Sequence, residues 1–402
     1  MLQGLPEPLG PWRERFQVAD LPSTGRIDPY EFFMGVGPFK FTESLRFTPE
    51  EFESLFEILR VELEQRLGHM QNVSLKGRLA LVLFRMAHGT PFHMMESMFK
   101  IGRSALSDNY RSVLSVMEDE LVKTLIQWPK TDELRNLEGT LGSEELTGRG
   151  NLGHCVLVVD ATNLQISRPT YNQKSFYNNH KKMHSIKAQL VCTWRGEIVC
   201  VDYHDMECCD VRRGMPGGRH DTYYYANSLA EAHRKRTFEA HHRLLGDTGY
   251  PEFDEDRNVI MVIPDKLNAI SSFTDNSQEV RKARNLKIGS VRVVVEGVIG
   301  AVKNLWSLYA RKAPGATNLR QHARGFAVGC AMFNLLCRLR KTWPRGQGWM
   351  TGGDIQCNAW ELAVRRLETD VQLDIQDAGV EGDCLPGGGE FASELMGASD
   401  DV

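Results

Sequence analysis

Between Leu146 and His154 the pattern of this chain changes, and that change limits its architecture more than any other feature. Ahead of LTGRGNLGH the apolar residues recur at helical spacing, and behind it they come in short runs. FTPEEFESLFEILRVELEQRL (residues 47–67) has the signals of a helix start: Thr48 as N-cap, Pro49 at the first helical position and acids in the opening turn. SLKGRLALVLFRMAHG (74–89) reads as a second helix that stops at a glycine. TPFHMMESMFKIGRSALSDNYRSVLSVMEDEL offers two more, split around Ile101, Gly102 and Arg103. A short helix, a tight turn with Gly and a longer helix have the spacing of a helix-turn-helix, and also of a plain helical bundle.

Behind the boundary, CVLVVD (155–160) is a continuous apolar run that ends on an acid, as a buried strand does. HSIKAQLVC and EIVCVDY are β-rich and separated by TWRG, a hairpin turn. TYYYANSLAEAHRKRTFEAHH reads as helical, HRLLGDTGYP holds a short strand ending at Asp247, and NVIMVIP is another strand. Helices follow from about Val280. The expectation is an α/β fold with a mixed sheet flanked by helices, preceded by an all-α region. Its divisions are an irregular segment (1–45), a helical region (46–125), a linker (126–150), an α/β domain (151–345) and an acidic tail (346–402).

Charge is segregated along the chain. The net value of −4 conceals a tail, residues 354–402, with twelve acids against Arg365 and Arg366; that is −10, which leaves +6 for residues 1–353. The tail is poor in large apolar groups, a composition that does not fold alone. No apolar run is long enough to span a bilayer and no secretory signal opens the chain, so no membrane role is expected. Nine cysteines without CxxC spacing argue against a disulfide framework or a zinc ribbon. His204, Cys208 and Cys209 offer too few partners for a soft-metal site, and the two cysteines read as free thiols.

From Arg281 to Gly353 there are fourteen basic residues and one acid, Glu296. At 100° per residue, Val291, Val294, Val295, Val298, Val302, Leu305, Trp306 and Tyr309 fall on one helix face, and Arg292, Glu296, Gly300 and Lys303 on the other. An i, i+4 ion pair on a solvated surface is the ordinary meaning of such a group. A second meaning is that the lone carboxylate holds a cation while the basic surface meets an anion. Asp160 and Asp247, each at a strand end, could converge with it outside the sheet edge. Mg²⁺ takes oxygen ligands, and two such ions about 3.5–4 Å apart can activate water and stabilise a departing phosphodiester oxygen. Between the first two acids, residues 161–196 carry Arg168, Lys174, Lys181, Lys182, Lys187 and Arg195 with no acid, interleaved with Tyr171, Phe176, Tyr177 and Trp194. Cations of that kind attract phosphates, and rings stack on exposed bases.

Five ordered blocks then resemble the Harbinger-type DDE transposases and their nuclease-like relatives: VVDATNLQISRP, YNNHKKMHSIKAQLVC, GGRHDTYYYANS, LLGDTGYP and RVVVEGVIGAVKNLW. The resemblance spans about residues 152–343, and LALVLFRMAHG through SALSDNY resembles the family's helix-turn-helix. It implies a ribonuclease-H-like fold with Asp160, Asp247 and Glu296 as the catalytic, metal-holding triad, and Asp221 as an additional ligand. It also implies Mg²⁺ or Mn²⁺ as cofactor, DNA as substrate, a separate Myb-like DNA-binding protein as partner, and residence in the nucleus. A homo-oligomer is compatible with it. Lys181, Lys182, Lys187, Arg292 and Lys303 are the expected DNA contacts. The segment 205–215 is longer and richer in cysteine than the family's, and Thr222 stands where it has Ser. The alternatives are a domesticated DNA-binding protein without activity and an aspartyl-nucleophile phosphatase. The latter wants a second Asp where this chain has Thr162.

Overall fold

The computed structural model describes residues 27–68, 73–141, 152, 154–170, 172–203, 216–218, 220–266, 270, 277–310 and 318–340. Tyr171, His204, Cys208, Cys209 and the acidic tail lie outside these residues. The chain begins with helices α1 (Pro29–Gly35), α2 (Pro38–Leu45), α3 (Pro49–Arg66), α4 (Leu75–His88), α5 (Phe92–Phe99) and α6 (Arg103–Met117). Residues 29–45, expected to be irregular, are thus helical. Pro29 and Pro38 each occupy a first helical position, where a missing N–H costs nothing, so the prolines start helices here. Thr48 closes a full capping box with Glu51, as its position promised. Gly89 ends α4 at φ 66°, and Lys100 takes the left-handed conformation between α5 and α6. A π-helical turn, Glu118–Val122, extends α6. The expected linker holds a further helix, α7 (Thr131–Leu141).

The sheet consists of β1 (Cys155–Gln165), β2 (Tyr177–Asn178), β3 (Met183–Cys192), β4 (Ile198–Asp202), β5 (Arg243–Leu245) and β6 (Met261–Val262). Its order is β2-β3-β1-β5-β6, with β4 also on β3. β1, β3 and β4 run antiparallel, whereas β5 and β6 are parallel to β1, so the sheet is mixed. The TWRG turn joins β3 to β4, with Gly196 at φ 93°. Helices α8 (Asp221–Ala226) and α9 (Leu229–Thr237) precede β5. They are separate because Ser228 caps α9 and Asp202 accepts from the N–H groups of Leu229 and Ala230. The long α10 (Ser277–Leu305), the short α11 (Ser307–Ala310) and α12 (Leu319–Leu339) follow.

One face of the sheet packs against α8 and α9, with Leu157, Val159, Val191, Leu244 and Tyr225 in one cluster. The other shares a single core with α10–α12 and the N-terminal helices: Ile186, Leu190, Val295, Trp306, Phe333, Leu83 and Phe47 belong to one cluster. The two halves read from the sequence are therefore joined by their interior. Asn334, fully buried on α12, ties them further: it accepts from Ile198 N–H at 3.1 Å and donates to the carbonyls of Leu125 and Ile198 at 3.0 and 2.7 Å. The described cysteines 155, 192, 200, 330 and 337 are buried and form no disulfide, and no described helix is long and apolar enough to cross a membrane.

Candidate active site

Asp160 lies in the middle of β1, not at its end. The strand continues to Gln165 against β3, but its parallel pairing with β5 stops at Val158 opposite Leu245. Beyond that point one edge of β1 is left open, and Asp160 is two residues along it. Asp247 follows the end of β5 by the same two residues. Where β5 stops, both chains have a carboxylate.

Glu296 comes from α10, which lies across this edge. The eight apolar residues assigned to one face are all buried, six of them on α10 and Trp306 and Tyr309 just beyond its end, while Glu296 is exposed. Arg292, one turn earlier, brings the acids together. Its guanidinium reaches Glu296 Oε1 from Nη2 at 3.0 Å and Asp247 Oδ1 from Nη1 at 3.5 Å. Asp160 Oδ1 accepts from Ala161 N–H at 2.8 Å, and Asp247 Oδ1 from Thr248 N–H at 2.7 Å. Burial pushes the Asp160 carboxyl up to about 7; Arg292 and the Ala161 N–H oppose this, and the charges of Glu296 and Asp247 add to it. Arg292 thus links Asp247 and Glu296 directly, while Asp160 feels their charges from the neighbouring strand.

Asp221 heads α8 beside the same loop. A Cβ at Gly249 would lie 3.1 Å from its Oδ2, so any larger residue would press the carboxylate aside by a few tenths of an ångström. Its other oxygen is bound by Lys187 of β3, whose ammonium also sits 5.1 Å from the centre of the Tyr224 ring. Lys187, expected on a DNA-facing surface, is buried in this pair. Lys303 also turns inward, donating to Thr162 Oγ1 at 2.6 Å and the Asn163 carbonyl at 2.9 Å, and so fastens α10 to β1. Burial, and then Lys181, lower it to about 8, with Asp160 opposing. Lys181 and Lys182 remain exposed, on the tight turn before β3 where Lys182 has φ 53°.

A carboxylate-only donor set is what a hard divalent ion takes. Asp160, Asp247 and Glu296 fit one by charge, and the partly buried Asp160 gains most from a neighbouring cation. Among the described residues, Glu239, His241 and His242, a group that the AHH sequence alone does not flag, have ligand atoms within 4.8 Å of one another, an approach that Asp160, Asp247 and Glu296 do not reach. The histidine group stands at the other end of β5 and fits a cation poorly. Arg135 pairs with Glu239, and His242 Nδ1 accepts from the Glu239 N–H at 3.1 Å, so the neutral ring carries its proton on Nε2.

Asp160, Asp247 and Glu296 thus stand at the open edge of a mixed sheet, with Arg292 between the last two. Residues 159–334 match the model of a family described as DDE superfamily endonuclease. The matched stretch, less than half of the chain, begins one residue before Asp160, ends at Asn334, and contains Asp221, Asp247 and Glu296. No curated protein and no solved structure matches the chain.

Proposed function

We propose that this protein is a divalent-metal-dependent DNA endonuclease of the Harbinger transposase type, with a ribonuclease-H-like sheet and Asp160, Asp247 and Glu296 as its catalytic acids. The observation that carries the reading is the bridge from Arg292 to Asp247 and Glu296, beside a partly buried Asp160 that responds to both. Asp160, Asp247 and Glu296 would hold Mg²⁺ or Mn²⁺, which supplies the charge that activates water and stabilises the departing oxygen of a phosphodiester. Arg292, next to the acids and 15% exposed at its side chain, is suited to orient a phosphate. Lys181 and Lys182 extend that positive surface outward. Asp221, paired with Lys187, supports the loop of Asp247 and is one displacement away from joining the ligand set.

The exposed start of α6, with Arg103, Ser104 and Ala105, is the recognition end of a helix-turn-helix formed with α5. Nuclear residence, a Myb-like partner and assembly of copies complete the reading as expectations of the family resemblance. The test is nicking of supercoiled plasmid with Mg²⁺ or Mn²⁺, with EDTA as control. Metal-dependent nicking by the wild type that is absent in Asp160→Asn supports the assignment. DNA binding without any nicking would favour a domesticated binding protein.

A further inference from the structure

Asp160 and Thr162 share the face of β1 that meets α10. Val158 and Leu164 pack in the cluster that holds Val295, Val298 and Val302 of that helix, whereas Leu157 and Val159 pack in the cluster on the other face. Alternation along the strand therefore puts residues 158, 160, 162 and 164 on one side. Their partners on β3 are Leu190 opposite Asp160, Ala188 opposite Thr162 and Ile186 opposite Leu164, and all three belong to the cluster shared with α10. On α10, Lys303 follows Glu296 by seven residues, two turns along one face.

Lys303 crosses from the helix to the strand. Its ammonium donates to Thr162 Oγ1 at 2.6 Å and to the Asn163 carbonyl at 2.9 Å. Asn163 is itself fixed, since its Oδ1 accepts from Ser185 Oγ on β3 at 3.0 Å. Neither of these bonds from the ammonium goes to a carboxylate. That separates Lys303 from Arg292, whose ion pairs are with Asp247 and Glu296. A cation that took the oxygens of Asp247 and Glu296 would displace the guanidinium and leave the Lys303 bonds intact. Of the two, only Lys303 can keep α10 in register once an ion has entered.

We propose that Lys303 is a positioning residue of the acid cluster: its bonds to Thr162 and Asn163 fix the register of α10 on β1, and so keep Glu296, two turns back on the helix, in place to meet an ion held by Asp160, two residues back on the strand. This rests on the reading of those acids as cation ligands. A lysine that met DNA phosphate would turn its ammonium outward, as the exposed Lys181 and Lys182 can. Supports outside the ligand set are commonly worth about 10–100-fold in metal affinity.

The experiment is a Mn²⁺ titration of the full chain at constant salt, followed by the electron-spin signal of the free ion, with thermal unfolding of each variant. Lys303→Met keeps the stem and removes the ammonium. Thr162→Val changes no charge and removes one acceptor. Both should raise the Mn²⁺ dissociation constant about tenfold, and Thr162→Ser, which keeps the hydroxyl, should bind as the wild type does. The sign separates position from charge. If Lys303 acted on the ion by charge alone, its loss would tighten Mn²⁺ binding and Thr162→Val would change nothing, a result that overturns the proposal. Wild-type affinity in both variants, whatever their melting midpoints, overturns it too, because the bonds would then serve the fold alone. Equal losses in Thr162→Ser and Thr162→Val assign the effect to packing and also overturn it. Should Lys303→Met fail to fold, Thr162→Val, which keeps the Asn163 bond, decides by itself. A wild type that binds no Mn²⁺ overturns the reading of the acids and this inference together, and is recognised before any variant is made.

Discussion

Arg292 touches Asp247 and Glu296 at once, at 3.5 and 3.0 Å, so two acids 49 residues apart in sequence share one guanidinium. The guanidinium and a divalent ion would draw on the same oxygens. Even at the dielectric of bulk water, a charge about 4 Å away is worth about 1 kcal/mol. Arg292→Gln should therefore bind Mn²⁺ about fivefold more tightly at low salt, and the gain should shrink as ionic strength rises. Calorimetric titration at two salt concentrations measures both.

Substitution of the acids separates chemistry from binding. Asp160→Asn and Glu296→Gln should reduce metal-dependent nicking to the level of the EDTA control while retarding a labelled duplex as the wild type does. Full nicking by either variant would remove that residue from the catalytic set.

The Asp160 carboxyl, raised to about 7, sets a pH limit. Below that value it carries a proton that a cation must expel, so Mn²⁺ affinity should fall about tenfold per pH unit under pH 7. Linkage gives a second consequence. A carboxyl whose folded pKa exceeds its unfolded one contributes stability at low pH that is lost as pH rises through the folded value. Asp160→Asn should therefore raise the melting midpoint of the metal-free protein at pH 8, with the difference vanishing near pH 4.

Asn334 satisfies three backbone groups on two elements. Asn334→Ala should cost about 2–4 kcal/mol, because buried groups of Ile198 and Leu125 lose their partner. Urea unfolding should show helical signal and tryptophan fluorescence lost together at a lower midpoint with an unchanged slope.

What the sequence revealed was local or periodic. Thr48 as a cap, the TWRG turn and the buried face of α10 depend on neighbours within a few residues, and each appears where its pattern points. Asp160 looked like a strand end because the fully apolar run stops there. That run ends where β5 ceases to cover β1, a fact of pairing that no local pattern encodes. Pro29 and Pro38 suggested irregular chain, since composition does not tell a proline that opens a helix from one that prevents it. The inward turn of Lys187 and Lys303 was also hidden, because a lysine looks the same in sequence whether its ammonium meets water, phosphate or Asp221.

Because the N-terminal helices and α10–α12 enclose one interior, the front of this molecule cannot be exchanged like a detachable module. A lineage that changed its first hundred residues would have to rebuild the wall behind Glu296 as well. Replacement of one half would be constrained by the survival of the other.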